Sequence, residues 1–225
     1  MKHRIAIISD THSLLRPEAA EVLRTCEVIL HGGDVADQAL LEELRKLAPV
    51  YAVRGNVDKD MDEDLPEELD VILYGFHFYM IHKKKQIRTK LNGAEIVIYG
   101  HSHKYETFEQ DGVLYLNPGS CGPRRFLLPV TMAVMTVDEE EHTYQIERID
   151  LLTESKEDVL ELSERDMDQL IRAIIKDMKA NRPAAVIAKR NQVEESFVNQ
   201  ILQIYTTHPG IDVDGILNRM DIWGK

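Results

Sequence analysis

Through the first 150 residues, short apolar runs alternate with stretches whose apolar residues recur at helical spacing. Arg4 to Ile8 reads as a buried strand that stops at Ser9-Asp10. Pro17 to Arg24 predicts a helix with proline near its first turn, and Val28 to Leu30 a second strand closed by Gly32-Gly33. Asp37 to Leu47 places Ala39, Leu40, Leu44 and Leu47 at helical spacing, with Pro49 just past the end. Val50 to Val53 is a third strand, stopped by Arg54-Gly55-Asn56. This βαβαβ opening predicts a sheet that is parallel here, with ligands beyond the C-terminal ends of its strands.

Strand patterns continue at Val71–Leu73, Phe76–Ile81 and Glu95–Tyr99. Asp111-Gly112 then marks a hairpin between Tyr105–Glu109 and Val113–Leu116. Two further strands, Thr131–Val137 and Thr143–Ile149, close the section, and the pattern suggests two packed sheets covered by helices. After Asp150 the strand signals stop. A charged linker is expected over 153–165, between a domain at 1–152 and a small helical domain at 166–225. Within the latter, helices are expected over Met167–Met178, Ala184–Lys189, Ser196–Tyr205 and Ile216–Met220.

Composition narrows the classes. With 44% hydrophobic and 29% charged residues in 225, the chain has the make-up of a globular protein with a sizeable core. No apolar run approaches the ~18–20 residues of a membrane span, and the four apolar residues after Arg4 are too few for a signal peptide. Cys26 and Cys121 stand in no metal or redox spacing, so a reduced cytoplasmic protein is expected. The net charge of −12 argues against a nucleic-acid backbone as partner. Much of that charge lies between Asp58 and Asp70, which reads as a solvated connecting loop.

The chemistry-bearing residues fall where strands end. Asp10-Thr11-His12 follows the first strand, Gly33-Asp34 the second and Gly55-Asn56 the third. His82 ends a later strand, and Gly100-His101-Ser102-His103 follows another. Carboxylate, imidazole and amide oxygen together suit divalent ions such as Mn, Fe or Zn. Any one of these groups alone is weak evidence of a site; the ordered set of five is a strong signal.

That set resembles the calcineurin-like metallophosphoesterase superfamily, and is most similar to its small bacterial and archaeal phosphodiesterases, relatives of the retromer subunit Vps29. The resemblance covers about residues 1–150 and includes the Asn117-Pro118-Gly119-Ser120 loop. It implies a mixed α/β (α+β) fold, a four-layer αββα sandwich, with the helical domain appended. It also implies two divalent ions, manganese first, with Fe, Zn, Ni or Co also suiting the ligands. Asp10, His12, Asp34 and His103 would hold one; Asp34, as a bridge, with Asn56, His82 and His101 would hold the other. Asp34, Asn56 and His103 would carry catalysis, a bridging hydroxide attacking phosphorus in a small phosphodiester or nucleotide.

Two departures qualify the resemblance. The third motif reads Gly55-Asn56-Val57-Asp58, and Val57 has no proton to give a leaving group where many members carry His. Lys83-Lys84-Lys85 follows His82 where relatives often have glycine and a polar residue. Lys83, Arg124 and Arg125 are the candidate substrate-binding cations. His31 is expected to be structural, supporting the adjacent motif, and Cys121 to be small filler. Residues 184–205 resemble a helix-turn-helix, with Ala188, Val193, Val198 and Ile201 at its key positions. Its second helix has acids and no base, so oligomerisation or a cap over the cleft is expected rather than DNA binding. The rivals to an enzyme are a non-catalytic interaction scaffold of the same fold and a metal-dependent nuclease or DNA-associated regulator.

Overall fold

A computed structural model of the chain describes residues 1–61, 63–123, 128–151, 164–191, 193 and 195–219. The chain divides into two compact units, Met1–Thr153 and Glu154–Lys225. The first opens with β1 (Lys2–Ile8), α1 (Pro17–Leu23), β2 (Val28–His31), α2 (Gln38–Arg45) and β3 (Val50–Ala52). It continues through β4 (Glu68–Leu73), β5 (Phe76–Ile81), a 3₁₀ turn at Lys84–Gln86, and β6 (Ile96–Ile98). The hairpin β7 (Tyr105–Gln110) and β8 (Val113–Pro118) precedes β9 (Thr131–Asp138) and β10 (Thr143–Asp150).

Two five-stranded sheets result, ordered β10-β9-β1-β2-β3 and β4-β5-β6-β8-β7. β1, β2 and β3 run parallel, as do β5, β6 and β8. Alternation along β1 explains its unbroken apolar run. Ile5 and Ile7 meet Phe76, Phe78, Met80, Ile96 and Ile98 between the sheets. Ala6 and Ile8 face Leu23, Leu40, Leu41 and Leu44 of α1 and α2. Each of these Ile, Leu, Phe and Met side chains, fully buried, contributes about 1.5–3 kcal/mol. α2 begins where the Asp37 carboxylate accepts from Leu40 N at 2.7 Å.

The outer face of the second sheet buries Tyr79, Ile81, Val97 and Tyr99 under Ile87 and Leu91. The fourth layer of the sandwich is therefore thin, made by the 3₁₀ turn and the segment after it.

Most of the stretch from Asp58 to Asp70 is solvated as its charge suggests, every described acid in it but Asp58 being exposed. Asp58 is 1% exposed, and Glu68, Leu69 and Asp70 lengthen the expected Val71–Leu73 strand into β4. Asp70 receives Arg88 at 2.6 Å and His77 at 2.9 Å. The departures from a plain loop are Asp58 and β4, and both come from partners distant in sequence that charge alone does not reveal.

The second unit contains α3 (Glu164–Lys179), α4 (Ala184–Asn191), α5 (Glu195–Thr207) and α6 (Val213–Arg219). Its core is Ile171, Ile174, Ile187, Phe197, Val198, Ile201, Val213 and Ile216. The buried Asp177 carboxylate accepts from Arg182 and, at 3.1 Å, from Arg190 Nε. The expected linker 153–165 falls outside the described residues except for Glu164 and Arg165, which already belong to α3. Among the described residues no helix is long and apolar enough to cross a membrane.

Candidate metal centre

The parallel strands of both sheets end at one edge, and the candidate ligands lie just past those ends. Asp10 and His12 follow β1, Asp34 follows β2, Asn56 follows β3, His82 follows β5, and His101 and His103 follow β6. Asp10, His12, Asp34, His101 and His103 all adopt positive φ, from 44° to 71°. Such backbone costs on the order of 1–3 kcal/mol per residue and persists only where the surroundings enforce it.

Neighbouring glycines make that close packing feasible. A Cβ on Gly33 would lie 2.6 Å from His82 Nδ1, and one on Gly55 would overlap the Asp34 carboxylate and amide. One on Gly100 would overlap the Ser9 hydroxyl and stand 2.7 Å from Asp10 Oδ2.

Two clusters of ligand atoms form. Asp10, His12 and His103 make one, and Asp10, Asp34 and His82 the other, each set lying within 4.8 Å. His103 Nε2 is 3.2 Å from Asp10 Oδ1. The two Asp34 oxygens face opposite ways: Oδ2 lies 3.7 Å from His12 Nε2, and Oδ1 lies 3.5 Å from His82 Nε2. Asn56 Oδ1 is 3.2 Å from His82 Nε2. His101 stands at the rim, its ring edge-on to His82 at 5.2 Å and its amide donating to Asp10 Oδ2 at 3.0 Å. The imidazole of His101 is in neither cluster.

The hydrogen bonds aim these groups. His82 Nδ1 donates to Gly32 O at 2.8 Å, which turns Nε2 inward. Ser9 Oγ donates to Asp10 Oδ2 at 2.6 Å, so Oδ2 is occupied by Ser9 and His101. Asp10 Oδ1 and both His103 ring nitrogens are buried with no hydrogen-bond partner among the described residues. Buried polar atoms are normally satisfied, so oxygen and imidazole nitrogen left open side by side fit a divalent cation.

Charge is tuned accordingly. Burial works against ionised Asp10 and Asp34, yet facing histidines and hydrogen bonds outweigh it and hold both carboxyls below the usual range. Burial also works against protonated His82, and Asp34 and Asp10 reverse the balance upward. In His101, burial and then the charges of His82 and Lys83 depress the basicity.

One residue escaped the sequence reading. Asp58 accepts four backbone hydrogen bonds, from Asp34 N (2.9 Å), Val35 N (3.2 Å), Ala36 N (2.7 Å) and Gly55 N (2.7 Å). Val57 N in turn donates to Asp34 Oδ1 at 3.0 Å. Asp58 thereby ties the Asp34 loop to the Asn56 loop. Its place at the end of Gly55-Asn56-Val57-Asp58 was the available signal.

His31 is fully buried and links the same region. Gly33 N donates to His31 Nδ1 at 3.1 Å, so Nε2 carries the proton and donates to Thr11 Oγ at 2.9 Å. Asn117 Nδ2 donates to Gly100 O and Ser102 Oγ, both at 3.0 Å, bracing the turn that carries His101 and His103.

The cations sort differently. Lys84 is committed to Glu106 at 2.7 Å and to the Phe108 ring at 4.5 Å. Lys83 lines a cleft beside Asn56 and His82. Arg124 and Arg125 lie outside the described residues.

A family model for the calcineurin-like phosphoesterase superfamily domain matches residues 3–140. A probable metallophosphoesterase of Methanothermobacter thermautotrophicus is 34% identical over 158 residues, 64% of this chain and 91% of that one. A phosphodiesterase of Methanocaldococcus jannaschii is 28% identical over 160 residues, 62% of this chain and 96% of its own length. Among solved structures, vacuolar protein sorting 29 of Cryptosporidium parvum superposes with a TM-score of 0.52 at 20% identity. It covers 66% of this chain and 97% of the other, a likeness of fold.

Proposed function

We propose, from the premise that the chain belongs to the calcineurin-like phosphoesterase superfamily, that it is a two-metal phosphodiesterase acting on small phosphodiesters or nucleotides. The name of the M. jannaschii relative supports the diester reading. The observation that carries it is the set of open ligand atoms, Asp10 Oδ1 and both His103 nitrogens, beside an Asp34 whose oxygens face two different histidines.

In this reading Asp34 would be shared between two ions, one held also by Asp10, His12 and His103 and the other by Asn56, His82 and His101. When bound, two divalent ions activate a water and neutralise charge on the phosphoryl oxygens. The residues themselves supply geometry. Gly32 O fixes the His82 ring, Ser9 leaves Asp10 Oδ1 open, and Asp58 holds Asp34 and Asn56 in register. Manganese is the proposed native metal. Residues 1–152 are assigned to catalysis and 166–225 to a separate helical module.

The test is hydrolysis of bis-p-nitrophenyl phosphate beside p-nitrophenyl phosphate by metal-stripped protein resupplied with Mn, Ni, Zn or Mg. Metal-restored cleavage favouring the diester is the expected result. Two ions bound per chain with no turnover of either ester would overturn the reading in favour of an interaction scaffold.

A further inference from the structure

A cleft of about 370 Å³ is lined at one part by Asn56 and His82 and elsewhere by residues with no place among the metal ligands. That is far more room than a phosphoryl group held at the ligands needs, and it lies in the range of small-molecule sites. We propose that this cleft seats the departing alcohol of the diester, and that this alcohol is a nucleoside held through its ribose hydroxyls. The proposal rests on the phosphodiesterase reading above and names its substrate class. In the reaction, the oxygen of water bonds phosphorus and the bond from phosphorus to the nucleoside oxygen breaks. That departing oxygen takes up a proton released by the water.

The cleft lining decides the chemistry. Among the described residues Ile81 is its one aliphatic side chain, so an acyl chain or other greasy alcohol has little surface to bury against. Glu67 and Glu68 make part of the wall acidic. Arg54 also lines it, but its guanidinium is held by Glu67 at 2.8 Å. A second phosphate would therefore meet carboxylates, whereas hydroxyl groups would find acceptors.

Glu68 is built into place. It is the register partner of Ile81, the residue before His82. Its Oε2 accepts from Tyr79 OH at 2.6 Å, and Arg88 stands 3.8 Å from Oε1. Arg88 stacks on the Tyr79 ring at 4.2 Å and donates to Asp70 at 2.6 Å, so the carboxylate is braced from behind. A fixed carboxylate is the group that grips the vicinal hydroxyls of ribose in many nucleotide sites. Gln86 adds an amide at the same cleft.

At the metal end, Lys83 forms no salt bridge among the described residues, and its charge is felt at His101. It is placed to meet the phosphoryl group. Among the described residues no aromatic ring other than the His82 imidazole lines the cleft, so the sugar is gripped and the base is not read by stacking.

Two measurements on the full chain test this. The first compares turnover of adenylyl-adenosine with that of its all-deoxy counterpart, in wild type, Glu68→Gln and the cleft-filling Gln86→Trp. Wild type should prefer the ribo substrate by about tenfold, and Glu68→Gln should bring the ratio near one. Gln86→Trp should lower turnover of the dinucleotide several-fold more than that of bis-p-nitrophenyl phosphate. The second titrates adenosine, and then 2′,3′-dideoxyadenosine, into metal-free protein by calorimetry.

Adenosine binding that Glu68→Gln weakens, without turnover of any ester, would overturn the phosphodiesterase reading and leave the cleft assignment standing. Turnover with equal ribo and deoxy rates, unmoved by Glu68→Gln and Gln86→Trp, would overturn the cleft assignment alone.

Discussion

Histidines meet carboxylates at both ends of the sandwich, with opposite results. At the start of β1, His3 stacks on Tyr74 at 3.9 Å with Nδ1 2.9 Å from Glu27. At the start of β5, His77 Nε2 is 2.9 Å from Asp70. His142, before β10, stacks on Phe76 at 4.3 Å and stands 2.5 Å from Glu95. In all three pairs the carboxylate is open to solvent. At the other end His82 and His103 are 2–3% exposed, their partners Asp34 and Asp10 are equally buried, and several ligand atoms remain open. Counting His and acid pairs would not separate the two ends. Burial combined with incomplete hydrogen bonding does, because water completes what the exposed pairs lack and none of the described residues completes Asp10 Oδ1 or the His103 nitrogens.

The sharpest way to break the contrast is at Asp34. Asp34→Asn keeps the volume and removes the charge that would bridge two cations. Metal-restored diester hydrolysis should fall on the order of 10³-fold or more, about the scale of losing a key electrostatic stabiliser. Adding metal should also no longer raise the thermal midpoint of the variant, as it should in wild type through preferential binding to the folded state. A variant that retained both responses would remove Asp34 from the centre.

Asp58 comes next, since it touches no ligand atom and acts through four amides. Asp58→Ala leaves those donors without their acceptor, at about 1–3 kcal/mol for a buried unsatisfied group and more if several stay unpaired. Asp58→Asn keeps one acceptor oxygen and should recover part of the loss. Metal affinity by calorimetry should weaken about 10–100-fold in Asp58→Ala, in line with other residues that orient ligands. Unchanged affinity in a destabilised variant would make Asp58 a purely structural tie.

His31 sharpens the comparison through pH. Burial, opposed by Asp58, Asp10 and Asp34 and aided by His82, pushes its pKa down to about 4. An unfolded histidine titrates near 6.5. The unfolded chain therefore binds the proton first as pH falls. The stabilising contribution is full above about pH 6.5 and is lost progressively towards pH 4, reaching about 3 kcal/mol. Protonation would also set an N–H at Nδ1 against the Gly33 amide that now donates to it. Urea midpoints of the metal-free protein between pH 7.5 and 4.5 should show this slope, and His31→Gln should flatten it. Equal slopes in the two proteins would assign the acid sensitivity to other groups.

The legibility of this molecule follows the same line. β1 to β3 and the residues after them could be read because a doubly buried strand is a continuous apolar run and its end is abrupt. Asp58 could not, because its partners are backbone amides of Asp34, Val35 and Ala36, and periodicity carries no record of them. β4 hid inside an acidic run because it is an edge strand whose alternate residues face water. Lys83, Lys84 and Lys85 are chemically identical in sequence. Only the 3₁₀ turn separates them, sending Lys84 to Glu106 and leaving Lys83 at the cleft.

The smallest effects are expected at the opposite end, and there the contrast is most exposed to refutation. The His142–Glu95 pair has side-chain exposures of 54% and 37%, and exposed pairs of this kind are worth roughly 0–1 kcal/mol. His142→Ala also removes a ring stacked on Phe76, but Phe76 remains packed in the inter-sheet core. Stability should drop by no more than about 1 kcal/mol, and raising the salt concentration should reduce the wild-type advantage, since screening weakens only the charged part. Metal affinity and metal-restored hydrolysis in this variant should stay within about twofold of wild type. A large loss of either would mean that the two ends of the sandwich are coupled through the strands between them. Burial and open ligand atoms would then no longer suffice to mark where the metal centre stops.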